Sequence, residues 1–379
     1  MLIGVPREIK NHEYRIGLIP AGAAELVARG HQVIVQHNGG VGIGFSDDDY
    51  REAGAEIAIS AEDVFARADL IVKVKEPQPA ECRMLRQGQT LFTYLHLAPD
   101  PEQARLLLES GASCIAYETV TDDNGGLPLL TPMSEVAGRM AAQEVAHCLE
   151  KAQGGSGVLM AGVPGVPGAR ILVIGGGVVG LNAARIALGM GADVIIADRS
   201  ISRLQEIDEL FDGQIKTLYS TKQAISELLP QVDAVIGAVL IPGAAAPKLI
   251  SRDMLSLMKP GSVLVDVAID QGGCFESSRP TTHRDPIYLV DGIVHYCVAN
   301  MPGAVARTST LALTNATLPY LLQLVDKGVH AALLQDKHLL NGLNIHNGMV
   351  CNEPVAEALG YDYVPGKQAL AGDMLRQTA

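Results

Sequence analysis

The feature that most constrains this chain is a short apolar run, Arg170–Ile174, that passes directly into Gly175-Gly176-Gly177-Val178-Val179-Gly180 and then into the helical pattern LNAARIALGMGA. A strand, a GxGxxG turn and a helix in immediate succession predict the opening unit of a doubly wound, parallel α/β fold. Each glycine has its own steric task there. Gly175 permits a tight turn, Gly177 lets backbone approach a pyrophosphate, and Gly180 lets helix and strand pack closely. Backbone N–H groups at the helix start then bind phosphate oxygens. The competing reading is a tight strand–helix turn with no ligand.

Asp198 weighs toward the ligand. It closes the next strand, 18 residues beyond Gly180. An acid at that point accepts hydrogen bonds from ribose hydroxyls and repels a 2′-phosphate, so NAD is expected rather than NADP. Arg199, next to it, is the one neighbour that suits a phosphate.

The same rhythm extends along the chain. Strand-length apolar runs at Leu2–Val5, His31–Gln36, Ala55–Ile59, Ala68–Val74, Thr90–Leu95 and Ser113–Tyr117 enclose helical patterns such as Ala21–Arg29, Ala61–Arg67 and Pro101–Ser110. After the loop TDDNGGLPLLTP, a long helical pattern from Met133 to Gln153 reads as a bridge to a second series. That series has strands near Ile171–Ile174, Asp193–Ala197, Ile215–Tyr219, Ala234–Ala238 and Ser262–Val267. From about Thr308 the pattern turns helical again, through Leu311–Val325 and His330–Gln335, and is expected to pack back on the first domain. With 379 residues, the chain exceeds the roughly 250–300 at which a single core stops growing. The expectation is an α/β protein of two doubly wound domains: residues 1–130 with 306–379, discontinuous in sequence, and 131–305.

A net charge of −13 and the lack of any run of five Lys or Arg argue against nucleic acid. The six cysteines show no CxxC spacing, so neither zinc nor disulfides are expected, and a reducing, cytoplasmic location is. Charges occupy the place where a secretory leader needs its apolar stretch. The longest apolar segment, Val158–Val179, is broken by Pro164, Pro167 and Arg170, so no membrane span is expected.

Candidates for reacting groups are cations and titratable residues at strand ends. Lys73 and Lys75 alternate with Val72 and Val74 on an otherwise apolar strand. They read either as charged guards of an edge strand or, at Lys75, as a contact for an anionic substrate. Arg15, in the charged loop REIKNHEYR, suits bidentate recognition of a carboxylate, though such an arginine is also ordinary on a surface. His96 ends the run TLFTYLHLAP, where open α/β sheets present their ligand crevice; it reads as a proton shuttle or a core histidine. Asp270 precedes Gly272 and Gly273 after the strand SVLVDVAI, as a catalytic carboxylate or an Asx turn.

Taken together, GVPREIKNHEYRIGLIP, KVKEP, TYLHLAPD, AGVPGVPGARILVIGGGVVGLNAA, VLIPGAAAP, VDVAIDQGG and HYCVANMPGAVARTST resemble the alanine dehydrogenase family over nearly the whole chain. The resemblance implies two Rossmann-like domains, NAD held in the second, and substrate closed between them. It implies reversible conversion of L-alanine to pyruvate and ammonium, with Arg15 and Lys75 binding substrate and His96 and Asp270 handling protons. Besides the glycines, it implies cofactor contacts at Ser134, Val178, Val179, Asp198, Arg203, Ser220, Val239, Leu240, Val267, Ala268, Ile269, Asp270, Arg279, Val298, Ala299, Asn300 and Met301. No metal is implied, and a homohexamer is. Two relatives in kind set the alternatives: the NAD-binding subunit of a proton-translocating transhydrogenase, whose pattern generally replaces the acid at Asp270, and a dehydrogenase of another amino acid.

Overall fold

The computed structural model describes residues 1–239 and 246–377, which form two compact units. One takes Met1–Pro132 together with the chain from Val305 onward; the other runs from Met133 to Ala304.

In the first unit the strands are β1 (Leu2–Val5), β2 (Gln32–Gln36), β3 (Glu56–Ala58), β4 (Leu70–Val72), β5 (Thr90–Thr93) and β6 (Ser113–Ala116). In the second they are β7 (Arg170–Ile174), β8 (Asp193–Asp198), β9 (Lys216–Tyr219), β10 (Ala234–Gly237), β11 (Val263–Asp266), β12 (Ile287–Val290) and β13 (Ile293–Tyr296). The returning chain adds β14 (Leu343–His346) and β15 (Met349–Val350) to the first unit. Among the described residues, the first sheet runs β15-β14-β6-β5-β4-β1-β2-β3 and the second β12-β13-β11-β10-β7-β8-β9.

β1 to β6 are mutually parallel, and β14 and β15 extend that sheet antiparallel. The second sheet is parallel except for β12. In both, the chain first winds to one side and then returns to the other. The strand order therefore reverses between β1 and β4 in one unit and between β7 and β10 in the other, and ligands of open α/β sheets bind beyond the carboxyl ends at such points.

The apolar runs form central strands because helices cover both faces of a parallel sheet. Ile34, Phe65, Ile71, Leu91, Leu107 and Cys114 lie in the core of the first unit and Leu172, Val235, Leu264 and Phe275 in that of the second, each fully buried. Burying one Leu or Ile side chain contributes about 1.5–3 kcal/mol.

Three expectations need correction. β4 lies between β1 and β5, not at an edge, and Lys73 is fully buried, so these lysines do not guard an exposed strand. The helix expected over Met133–Gln153 spans Thr131–Cys148, with a separate short turn at Lys151–Gln153. The chain doubles back there: Gly154 adopts φ +87°, and a Cβ on Gly155 would stand 2.2 Å from the Cys148 carbonyl oxygen. Finally, the carboxyl-terminal part is not helical throughout, since β14 lies between helices Lys337–Asn341 and Glu353–Leu359. Among the described residues, no helix is long and apolar enough to cross a membrane.

Candidate active site

In the first unit, the segments leaving the carboxyl ends of β1, β4, β5 and β6 supply one cluster of charged side chains. The loop after β1 brings Glu8, Glu13 and Arg15. Arg15 is buried, and Glu13 accepts two of its guanidinium hydrogen bonds, Nε to Oε1 at 2.7 Å and Nη2 to Oε2 at 2.5 Å. Burial opposes the Arg15 charge, but Glu13 outweighs it and raises the guanidinium pKa.

Beyond β4 stand Lys73, Lys75 and Glu76. Lys73 is sealed between two carboxylates, at 3.0 Å from Glu8 and 2.7 Å from Glu81. The other Glu8 oxygen accepts the Val74 N–H at 2.7 Å and the Lys75 N–H at 3.3 Å, so this acid holds the backbone from which Lys75 projects. Burial pushes the Glu8 carboxyl upward against the pull of Lys73. Lys75 Nζ lies 3.6 Å from Glu76, which also meets Lys10. Burial works to raise the Glu76 carboxyl, yet Lys75 and Lys10 together hold it below the usual range.

β5 carries Thr93, Tyr94 and His96 into the same cluster. Thr93 Oγ donates to the Lys75 carbonyl at 3.0 Å, the Tyr94 N–H donates to the Val74 carbonyl at 3.3 Å, and the Tyr94 ring stacks on the His96 imidazole. The His96 side chain is 42% exposed, and its Nδ1 stands 3.9 Å from Glu118, which follows β6. Arg15, Lys75 and His96 thus stand on segments that leave the carboxyl edge of one sheet, Arg15 and Lys75 buried and His96 exposed.

The second unit repeats this edge logic. Gly175, at the end of β7, adopts φ +105°, and a Cβ there would meet the Ala238 carbonyl oxygen at 2.6 Å and Val239 at 3.0 Å. A Cβ on Gly180 would stand 1.8 Å from the Gly175 carbonyl oxygen, whereas one on Gly177 would meet nothing within 4 Å. Open space therefore lies in front of Gly177, at the amino terminus of helix Val178–Gly189, where N–H groups favour an anion. Asp198 accepts the Gly176 N–H at 2.7 Å, and Arg203 Nε donates to the Gly176 carbonyl at 2.6 Å, so both clasp the glycine turn.

Ser134 lies one helical turn before Gly138, where a Cβ would come 2.2 Å from the Val179 carbonyl oxygen, so it stands beside that helix start. Ser220 follows β9 and donates its N–H to the Asp198 carbonyl at 2.9 Å. Val239 follows β10, Val267, Ala268, Ile269 and Asp270 follow β11, and Val298, Ala299, Asn300 and Met301 follow β13. These residues come together because parallel strands end at one edge. Arg279 lies on the loop before β12 with its guanidinium 4.2 Å from the Tyr288 ring centre. Leu240 lies outside the described residues.

Asp270 itself is exposed, on a loop clasped from within by Asp266. That acid accepts from Ala268 N at 3.2 Å, Cys274 N at 2.8 Å, Phe275 N at 3.3 Å and Ser278 Oγ at 2.5 Å. Sequence reading passed over Glu8, Glu13, Glu118 and Asp266. The available signal was an acid within or just beyond an apolar run, the place taken by Asp266 in VLVDVA and by Glu118 in CIAYET.

Models of the Alanine dehydrogenase/PNT family match in order, the N-terminal domain over residues 4–137 and the C-terminal domain over 141–353. The chain is 63% identical over 364 residues to alanine dehydrogenase of Halomonas elongata, covering 96% of this chain and 98% of that one. It is 54% identical over 371 residues to the enzyme of the same name from Bacillus subtilis, covering 98% of each. A solved L-alanine dehydrogenase superposes with a TM-score of 0.92 at 48% identity, over 95% of this chain and 99% of that one. A solved transhydrogenase from Sinorhizobium meliloti is more distant, with a TM-score of 0.79 at 26% identity over 93% of this chain and 99% of that one. Likeness of this extent, spread over both units, makes the chain a member of the alanine dehydrogenase family.

Proposed function

We propose that this protein is an L-alanine dehydrogenase, converting L-alanine, NAD and water reversibly to pyruvate, ammonium, NADH and a proton. The observation that carries the reading is 63% identity with an alanine dehydrogenase over 96% of the chain. The placement of Arg15, Lys75 and His96 beyond the carboxyl ends of neighbouring strands of one sheet supports it.

The proposed roles follow from chemistry and position. Arg15 and Lys75 bind the substrate carboxylate or carbonyl, and His96 and Asp270 move protons. The open cradle at Gly177 and the helix amino terminus at Val178 suit a pyrophosphate, and Asp198 suits the ribose hydroxyls of NAD. Gly175, Gly180, Ser134, Val179, Arg203, Ser220, Val239, Leu240, Val267, Ala268, Ile269, Arg279, Val298, Ala299, Asn300 and Met301 complete the proposed cofactor contacts.

NAD, when bound, would supply the two-electron acceptor for the hydride at the substrate Cα, a loss that gives an iminium once the substrate ammonium has given up a proton. His96 or Asp270 deprotonates the water that adds to this carbon. The carbinolamine formed takes a proton on nitrogen and loses the one on its hydroxyl as the C–N bond breaks, leaving pyruvate and ammonia, which takes up a proton to become ammonium. The reading further places the enzyme in the cytoplasm as a homo-oligomer, hexameric by likeness to its family.

The test follows NADH absorbance for wild type, His96→Ala and Asp270→Asn, supplied with L-alanine and NAD or with pyruvate, ammonium and NADH. Turnover in both directions by wild type, lost in both variants while NADH still binds, is the expected result. A wild type that binds NADH and turns over neither pair overturns the reading in favour of a transhydrogenase-like subunit.

A further inference from the structure

We infer that Glu118, assisted by Gln103, is a positioning residue that holds the Leu95–His96 peptide in the one orientation that presents the imidazole to substrate. This rests on the proposed proton-transfer role of His96.

His96 adopts φ +50°, in the left-handed region that side chains other than glycine seldom enter. Strain of this kind persists only where the surroundings over-determine it. Here both polar ends of a single peptide group are held. The His96 N–H donates to Glu118 Oε1 at 2.6 Å, and the Leu95 carbonyl accepts from Gln103 Nε2 at 3.0 Å. The Leu95 N–H also donates to the Glu118 carboxylate, at 3.0 Å to Oε1 and 3.3 Å to Oε2. A flip of this peptide, which would relieve the backbone, breaks hydrogen bonds on both sides at once.

The rest of the environment shows why the backbone must do this. The imidazole is too exposed for packing alone to fix its direction; it stacks on the parallel ring of Tyr94, at 5.8 Å between centroids, and its Nδ1 stands 3.9 Å from Glu118. Tyr94 is fixed in turn by its hydroxyl, which donates to the Leu129 carbonyl at 2.6 Å. Gln103 is anchored on helix Pro101–Ser110, whose first turn is capped by Asp100. Glu118 stands two residues beyond Ala116, the partner of Thr93 in the β5–β6 register, which puts its carboxylate opposite the turn leaving β5. Glu118 Oε1 also stands 3.9 Å from the imidazole Nδ1, so its assigned action on the reaction runs through the placement of His96.

The test compares kcat, KM for L-alanine, KM for NAD and thermal stability in wild type and in Glu118→Ala, Glu118→Gln, Glu118→Asp, His96→Ala and the His96→Ala/Glu118→Ala double variant. Misplacement of a reacting group by about 1 Å costs on the order of 100-fold, so Glu118→Ala should lose about 30- to 100-fold in kcat with KM for NAD within about 3-fold. Glu118→Gln keeps an acceptor at Oε1, which serves both amides, and should stay within about 5-fold of wild type. Glu118→Asp keeps the charge but withdraws the oxygens by one methylene, with an expected loss of about 10-fold. The double variant should be no slower than His96→Ala alone, since residues acting through one group are non-additive.

Wild-type kcat in Glu118→Asp and Glu118→Ala, or a further loss in the double variant, overturns the positioning role. If Glu118→Ala fails to fold, Glu118→Asp and Glu118→Gln decide by the same kcat comparison. A His96→Ala enzyme with wild-type kcat removes the underlying reading instead, whatever the Glu118 variants do.

Discussion

Glu13 grips Arg15 through two parallel hydrogen bonds, so that the guanidinium is oriented before any substrate arrives. A planar fork held this way is not replaced by a point charge. Arg15→Lys should therefore raise KM for L-alanine by about 10- to 100-fold, because charge-assisted bidentate bonds are roughly twice as strong as neutral ones. Steady-state kinetics at saturating NAD measures it, and an unchanged KM would remove Arg15 from substrate binding.

Lys73 contributes to stability rather than to substrate contact. Removing a partner from a buried ion pair costs about 3–5 kcal/mol, so Lys73→Met, which leaves Glu8 and Glu81 facing each other without a cation, should lower the urea midpoint accordingly. Adding Glu8→Gln and Glu81→Gln should restore part of the loss. A single variant as stable as wild type would mean that the buried acids are already protonated.

The glycines of the cofactor turn separate by what a methyl group would strike. Gly180→Ala drives a Cβ into the Gly175 carbonyl oxygen and should lower Tm by about 10 °C or leave the protein insoluble, at about 2–4 °C per kcal/mol. Gly177→Ala meets open space, so Tm should move by under about 2 °C while NADH binding, followed by its fluorescence, weakens. Normal NADH affinity in Gly177→Ala would place the pyrophosphate elsewhere.

Glu76 gives the first unit an acid-sensitive element. Lys75 and Lys10 hold its folded carboxyl below the usual value against burial, so folding favours the ionised form. The stabilisation is fully present above the unfolded value of about 4.3 and is lost as pH falls through the lower, folded value. In urea titrations from neutral pH to about pH 3, the margin of wild type over Glu76→Gln should be widest at neutrality and shrink below about pH 4.3. A margin that grows on acidification contradicts the assigned direction.

Much of the fold was legible because its signals are local. β1, β7 and the helix after the glycine turn follow from short apolar runs and from glycines with no alternative, and both sheets were anticipated from their alternation with helices. The strands overlooked, β12 to β15, are short segments whose pairing is decided by a distant partner: Leu343 and Ile345 of β14 face Ile115 and Cys114 of β6, more than two hundred positions earlier. Lys73 was legible as unusual and not as buried, because its two counter-charges, Glu8 and Glu81, come from segments on either side of it in sequence.

The sequence by itself determined the doubly wound plan, the glycine turn with Asp198, and the identity of Arg15, Lys75, His96 and Asp270 as groups to examine. Each depends on residue type and spacing within a few dozen positions, where steric and hydrogen-bonding demands are met by neighbours in the chain. Only the tertiary structure decided that Glu8 bears on Lys75, Glu118 on His96 and Asp266 on the loop of Asp270. Burial leaves a backbone N–H or a charge at a strand end no water to turn to, so a carboxylate must reach it, and the fold decides which one can.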